Sequence, residues 1–316
     1  PVAGRLLNGQ YRVAATQSPE PRARSPGWNG GAVFNQAKKI RDKYIREEMW
    51  PSIFCTGCGI GNILNYTLRA IDSIGLDIDK TVFCSGIGCS SRLPGYIEAD
   101  GLHTAHGRAI AFATGVKVYR PELSVIVFTG DGDMAGIGGN HFIHAARRNV
   151  DMTVICVNNS TYGMTGGQVS PTTPAEDLST TTPYGNLEEP FDLCRLAIGA
   201  GAPFVARWTM GYPYETIAAV ESAIRTKGFG FVEILAPCPT GYGKANELRD
   251  APANWEWYKE NTITRIDLTR LSLEERAANR KIVIGTLWQE EKPEYVERWQ
   301  QLVSRLQADN EPATPS

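Results

Sequence analysis

Between about residues 52 and 240, short apolar runs alternate with longer amphipathic stretches. The runs at 81–85, 123–129, 152–157, 204–208 and 230–235 are rich in Val and Ile. They predict strands buried on both faces. The stretches at 60–74, 104–119, 135–147, 190–200 and 213–227 repeat their apolar positions at helical spacing and predict the intervening helices. This alternation predicts an α/β domain with a mostly parallel sheet and helices on both faces. Ligands of such sheets sit at the carboxyl ends of the strands. The two Gly-rich turns, SGIGCSS from Ser85 and TGDGDMAGIGG from Thr129, fall there.

The flanks read differently. Residues 1–33 are punctuated by Pro and Gly without periodicity and predict an extended arm or a segment without fixed structure. Residues 35–49 predict a charged helix. After 241 the chain reads as irregular with some helix, then as a charged amphipathic helix over 272–309 and a frayed tail. The expected partition is an arm and helix at 1–50, an α/β domain at 51–240 and a largely helical extension at 241–316. There is no internal repeat.

Composition narrows the function without choosing it. The 316 residues are 42% hydrophobic and 21% charged, as in a globular protein. A net charge of −2 gives no sign of nucleic-acid binding. No apolar run approaches a membrane span, and no secretory apolar region opens the chain, so the expected location is cytoplasmic and no membrane partner is expected. The seven cysteines, an odd number over a long chain, argue against a disulfide framework.

The run at 123–129 leads into Gly130-Asp131-Gly132-Asp133, and the next predicted strand into Asn158-Asn159. One helix and one strand fill the interval, so Asp131 and Asn159 are expected to end neighbouring strands on one edge of the sheet. Glycines let the backbone approach a phosphate, and the following helix N-terminus favours its charge. A carboxylate and an amide oxygen are hard ligands suited to Mg²⁺. GDG alone is more often a plain tight turn. A Rossmann dinucleotide site competes, but no acidic residue ends a second strand as that site requires. The pairing resembles the Mg²⁺–thiamine-diphosphate motif. That likeness implies Mg²⁺ on Asp131, Asn159 and the carbonyl of Thr161, with Gly132 and Asp133 at the diphosphate.

Cys55 and Cys58 form a C-x-x-C pair, and two further thiolates would complete a four-cysteine site. Cys84 and Cys156 lie inside apolar strands and Cys194 on a helix face. Cys89, in the loop GIGCSS, and Cys238, in PCP after a strand, are free to converge with the pair. Zinc and a [4Fe–4S] cluster fit this spacing equally well. A neighbouring thiamine site, whose chemistry needs an electron acceptor, favours the cluster. A thioredoxin-like pair has no second feature behind it.

The segments CTGCG, SGIGCSSRLP, GLHTAHGRAIAFATG, TGDGDMAGIGGNHF, ARRNVDMTVI, NNSTYGMTGGQVSPTTP and APCPT together resemble the β subunit of 2-oxoacid:ferredoxin oxidoreductases, in the family's order from about 50 to 265. The resemblance implies one [4Fe–4S] cluster on Cys55, Cys58, Cys89 and Cys238. It also implies thiamine-diphosphate contacts from Ile87, Gly88, Ser90, His106, Gly163 and Met164. His103, His141 and His144 are expected to be structural. The implied reaction is oxidative decarboxylation of a 2-oxoacid with coenzyme A to acyl-CoA and CO₂, electrons passing through the cluster to ferredoxin. The Glu that activates the aminopyrimidine comes, in this family, from an α subunit, and no candidate for it stands here. The two-cluster ferredoxin run is also missing, so further clusters would belong to γ or δ ferredoxin-like partners.

Arg92, in C-S-S-R, resembles the basic residue that meets the far end of the substrate, and its guanidinium suits a second carboxylate. With GMTGGQVSPTTP and TTPYGN at 181–186, this favours 2-oxoglutarate over pyruvate, oxalate or branched-chain 2-oxoacids. The alternatives from other classes are a non-oxidative thiamine-dependent decarboxylase or synthase subunit and a zinc-stabilised assembly subunit.

Overall fold

A computed structural model describes residues 38–309. The arm expected at 1–33 and the last few residues lie outside the described range. A helix α1, described over 38–44, precedes α2 (Ile60–Ile74). Then follow β1 (Thr81–Ser85), β2 (Asp100–His103), α3 (Ala109–Tyr119), β3 (Ser124–Gly130), α4 (Gly139–Arg148) and β4 (Met152–Asn158). The second half holds α5 (Leu193–Ala200), β5 (Phe204–Thr209), α6 (Pro213–Arg225) and β6 (Phe229–Leu235).

These strands and two later ones, β7 (Thr262–Thr264) and β8 (Ile282–Gln289), form one eight-stranded sheet in the order β2-β1-β3-β4-β6-β5-β8-β7. Every pairing is parallel except β5 with β8. The five strands predicted from apolar runs are present, each within a residue or so of the expected ends.

Side-chain alternation explains why these strands carry no polar face. Phe83, Ile126, Phe128, Ile155, Val157, Val232 and Ile234 point to one side, where α2 and α6 cover them with Ile63, Leu68, Ile71 and Val220. Cys84, Val125, Val127, Val154, Cys156 and Phe231 point to the other, against Ile110 of α3, Phe142 of α4 and Leu193 of α5. Helices on both faces are thus the outcome the runs imply. Cys84, Cys156 and Cys194 are fully buried in this second layer.

Three expectations need correction. The helix expected over 104–119 begins only at Ala109, and the residues before it form an edge strand, β2, and a turn. β2 is four mostly exposed residues with no apolar run to announce it. The helix expected from 135 is preceded by a wide π-helical turn at Gly132–Ile137. The long helix expected over 272–309 is three elements: a short helix α10 (Leu273–Ala278), strand β8 (Ile282–Gln289) and helix α11 (Tyr295–Asp309). Charged residues on both sides hid the β-branched core of β8, IVIGTLWQ. Between β6 and α10 lie helices α7 (Tyr242–Ala245), α8 (Ala251–Asn261) and α9 (Arg265–Arg270), with β7 (Thr262–Thr264) pairing with β8. β8 adds to β5 and so brings the C-terminal elements into the same sheet, and the described residues from Ile40 onward form one unit.

Candidate functional site: one edge of the sheet

Parallel strands put all their carboxyl ends on one edge. β1 delivers Ile87 to Ser90 there, β3 delivers Asp131 to Asp133, β4 delivers Asn159 onward and β6 delivers Cys238. The register places Gly130 beside Val157, so Asp131 and Asn159 follow neighbouring strand ends, as expected.

Asp131 is 2% exposed. Its Oδ2 accepts hydrogen bonds from Ser170 Oγ and Thr172 Oγ1, both at 2.6 Å, and its Oδ1 accepts from the main-chain nitrogen of Asn159 at 3.4 Å. Burial pushes its carboxyl above the ordinary carboxylate range, against the hydrogen bonds from Ser170 and Thr172. The two asparagines divide their work. Asn158 is buried and spends its side chain on Glu233, Ser160 and Thr172. The side chain of Asn159, half-buried, makes no hydrogen bond with a described residue. The second asparagine is therefore the one left to act as a ligand. Thr161 is buried, with its hydroxyl on the carbonyl of Gln168.

The Asp133 carboxylate is taken up by neighbouring loops. Its Oδ1 accepts from Ile87 N at 3.1 Å, Gly107 N at 2.7 Å and His106 Nδ1 at 2.7 Å. Its Oδ2 accepts from Thr129 Oγ1 at 2.8 Å. This carboxylate ties the loop after β1 to the turn before α3. Only its main chain remains for a diphosphate. Because Asp133 is the acceptor, the proton on His106 sits at Nδ1, and Nε2 is the ring nitrogen left over. Tyr162 lies edge-on to the His106 ring, 6.1 Å between centroids, and donates to the carbonyl of Gly132 at 3.1 Å. Ile87 and Met164 are exposed, Gly88 is half-buried and Ser90 buried.

The cysteines gather beside this edge. The C-x-x-C pair sits just before α2. Gly57 (φ 81°) could carry no side chain, because a Cβ there would come within 2.9 Å of Ala251 Cβ and 3.7 Å of Pro239. The pair is thus pinned against the segment that carries Cys238. Thr240 Oγ1 lies 3.6 Å from Cys55 Sγ and 4.0 Å from Cys238 Sγ. Burial pushes the Cys89 thiol up to about 11, and Cys238, Cys55 and Cys58 add to the effect. Cys58 is raised for the same reason, burial first, with Cys55 and Cys238 contributing. Cys84 is pushed up to about 12, and Cys156 and Cys194 well above the usual thiol range, by burial foremost. All seven cysteines are free thiols. Among the described residues, no three His, Cys, Asp or Glu side chains come close enough to share one metal ion.

Gly163 joins the two halves of the site. A Cβ there would stand 3.2 Å from Cys238 Sγ, 4.0 Å from Cys89 Sγ and 3.9 Å from Asn159 Nδ2. Arg92 lies one turn beyond Cys89, its amide nitrogen donating to the Cys89 carbonyl at 3.2 Å. Its side chain is exposed and makes no hydrogen bond or ion pair among the described residues. The histidines expected to be structural have local partners: His103 meets Ser85, His141 meets Arg108 and His144 meets Arg147. Sequence reasoning missed the work of Ser170, Thr172, Tyr162 and Glu233. Only Glu233 left a signal, as a lone carboxylate inside the apolar run FGFVEIL.

A parallel sheet with GDG and NN at adjacent carboxyl ends is the framework of a thiamine-dependent enzyme. Residues 86–234 match the family described as thiamine pyrophosphate enzyme, C-terminal TPP binding domain. Over 267 residues the chain is 51% identical to 2-oxoglutarate synthase subunit KorB of Methanocaldococcus jannaschii, covering 84% of this chain and 98% of that protein. It is 43% identical over 219 residues to the 2-oxoacid:ferredoxin oxidoreductase subunit beta of a Sulfolobus species, 68% of each chain. Among solved structures it resembles the 2-oxoglutarate:ferredoxin oxidoreductase of Magnetococcus marinus, which holds 2-oxoglutarate, coenzyme A and succinyl-CoA. The TM-score is 0.75 at 33% identity, covering 86% of this chain and 96% of that one. The chain belongs to the β-subunit family of 2-oxoacid:ferredoxin oxidoreductases, as one subunit of an oxidoreductase acting on a 2-oxoacid. No described helix is long and apolar enough to cross a membrane.

Proposed function

We propose that this subunit holds thiamine diphosphate and Mg²⁺ together with a neighbouring [4Fe–4S] cluster, the two meeting near Gly163, and serves the coenzyme-A-dependent oxidative decarboxylation of 2-oxoglutarate. The observation that carries the reading is the position of Gly163, where a Cβ would stand 3.2 Å from Cys238 Sγ, 3.9 Å from Asn159 Nδ2 and 4.0 Å from Cys89 Sγ, so that groups of both candidate sites approach one point. With Asn159 and two of the thiols this near one glycine, electrons would have a short route.

The residues fit the groups. Asp131, Asn159 and the carbonyl of Thr161 would hold Mg²⁺. The main chain of Gly132 and Asp133 would meet the diphosphate, and Ile87, Gly88, Ser90, His106, Gly163 and Met164 would line the thiamine. When bound, thiamine diphosphate supplies the carbanion chemistry of decarboxylation. The chain's own residues position and insulate it: Asp133 fixes the β1 loop and His106, and Tyr162 packs on the diphosphate turn. Cys55, Cys58, Cys89 and Cys238 would carry the cluster. Their thiols sit within electrostatic reach of one another without converging on one point. The exposed Ile87 and Met164 and the missing activating Glu fit an α subunit that covers the site. Ferredoxin, with or without γ or δ subunits, would take the electrons.

Arg92 sets the substrate in this reading, because a solvent-facing guanidinium without a partner among the described residues can take the distal carboxylate of 2-oxoglutarate in a bidentate pair. Arg92→Ala is expected to lower kcat/KM for 2-oxoglutarate by about 10–100-fold, the worth of a charge-assisted hydrogen bond. Its effect on 2-oxobutyrate should be small. Equal losses on both acids would assign Arg92 a phosphate or structural role. The reaction itself is tested on the anaerobic complex with its α partner, by coenzyme-A-dependent viologen reduction across a panel of 2-oxoacids. Preference for 2-oxoglutarate supports the assignment. Preference for another acid keeps the chemistry and removes the substrate. No reduction by a fully loaded complex would overturn the reaction type.

A further inference from the structure

Behind the cofactor edge, buried polar side chains form a continuous chain from β5 to Asp131. Glu233, in the middle of β6, is 1% exposed, and a carboxylate so placed must be paired. Its Oε2 accepts from Arg207 Nε at 2.6 Å and Cys194 Sγ at 3.2 Å, and its Oε1 accepts from Asn158 Nδ2 at 2.7 Å. Arg207 pairs in turn with Asp192. Glu233 thereby fixes which way the Asn158 amide faces. With its NH₂ on the carboxylate, the amide oxygen must face Ser160 N at 3.1 Å and Thr172 Oγ1 at 3.0 Å.

Both receivers control the ligand edge. Ser160 stands at φ 56°, the kink that turns the chain just after Asn159. Thr172 Oγ1 is 2.6 Å from Asp131 Oδ2. The threonine has one proton and two acceptors in reach, so its donation is divided between Asp131 Oδ2 and Asn158 Oδ1, and the way the Asn158 amide faces bears on what Asp131 receives. We infer that Glu233 is a positioning residue for the magnesium–diphosphate site. Acting through Asn158, it orients Asn159 on one branch and Asp131 on the other, without touching the cofactor. The inference rests on the cofactor reading above.

An isosteric amide cannot replace this carboxylate. With its oxygen on Asn158, a glutamine would aim its NH₂ at Arg207 and leave that guanidinium on Asp192 alone. With its oxygen on Arg207, it would face Asn158 with a donor, and Asn158 would have to turn over. Second-layer losses at metal sites commonly cost about 10–100-fold in affinity. Glu233→Gln is therefore expected to weaken thiamine diphosphate binding by about that factor.

The test is equilibrium dialysis of thiamine diphosphate at saturating Mg²⁺ against the cofactor-stripped complex, which needs no turnover. Thr172→Val should weaken binding like Glu233→Gln, and Thr172→Ser, which keeps the hydroxyl, should restore it. The Glu233→Gln/Thr172→Val double variant should lose less than the sum of the single losses, because both act through Asn158. If Glu233→Gln fails to fold, the Thr172→Val and Thr172→Ser pair still decides. Asp131→Ala separates the two levels of the argument: retained binding in that variant overturns the cofactor reading itself. If Asp131→Ala abolishes binding while Glu233→Gln and Thr172→Val bind like wild type, or lose additively, the positioning role is overturned.

Discussion

Cys89→Ala is expected to abolish the four-iron signal of the reduced complex while the fold survives. Cys89 sits in the loop after β1, its thiol half-buried and within electrostatic reach of Cys238, Cys55 and Cys58. It packs against the core from its rim, half-buried, and is not among the buried residues that make up that core. Removing one of four thiolates leaves an iron without its protein ligand. Iron content should fall from about four per chain, the cluster formula, toward zero. Cys84→Ala is the matched control: that thiol lies in the opposite core layer, and its loss should leave the iron intact. Low-temperature EPR of dithionite-reduced protein reads both. An intact four-iron signal in Cys89→Ala would refute the ligand assignment, and zinc in place of iron in the wild type would remove the electron-transfer role.

The second large effect is on stability. Asp133 gathers donors from three segments: Ile87 N from the β1 loop, His106 Nδ1 and Gly107 N from the turn before α3, and Thr129 Oγ1 from β3. Asp133→Ala strands these donors in a buried pocket, where each costs about 1–3 kcal/mol without a partner. Some gain water, so a net loss on the order of 3–5 kcal/mol is expected. Asp133→Asn should cost much less. Its oxygen can stay with Ile87, His106 and Gly107 while its NH₂ turns to Thr129, whose hydroxyl can accept as readily as donate. Urea unfolding midpoints of the two variants give the comparison. Equal losses would mean that negative charge, not donor count, holds these loops. An alanine variant as stable as wild type would mean that the carboxylate does not hold them.

What the sequence disclosed follows from where its physics is local. β1, β3, β4, β5 and β6 were legible because a strand covered on both faces must be a short apolar run. β2 is an exposed edge and β8 is flanked by charge, so neither carried that mark. Asp131, Asn159 and the four cysteines could be proposed because chemistry restricts residue type at a ligand position. The supporting groups could not. Ser170 and Thr172 are small polar residues like dozens of others, and only tertiary folding brings them to Asp131. Asp133 shows the converse limit: its motif position pointed to a diphosphate, while its carboxylate is engaged in holding two loops.

The antiparallel addition of β8 to β5 has a consequence for how the chain is made. β5 takes β6 as one neighbour and β8 as the other, so its outer rim is closed only by residues 282–289. The ribosome delivers β5 and β6 well before that closing strand. At about 5–20 residues per second, the FVARWT rim waits several seconds or more for its cover. Throughout that interval it offers unpaired backbone groups to any other extended chain. Arrival of the C-terminal part of the polypeptide thus ends the nascent protein's exposure to its neighbours on the polysome, in addition to completing the sheet.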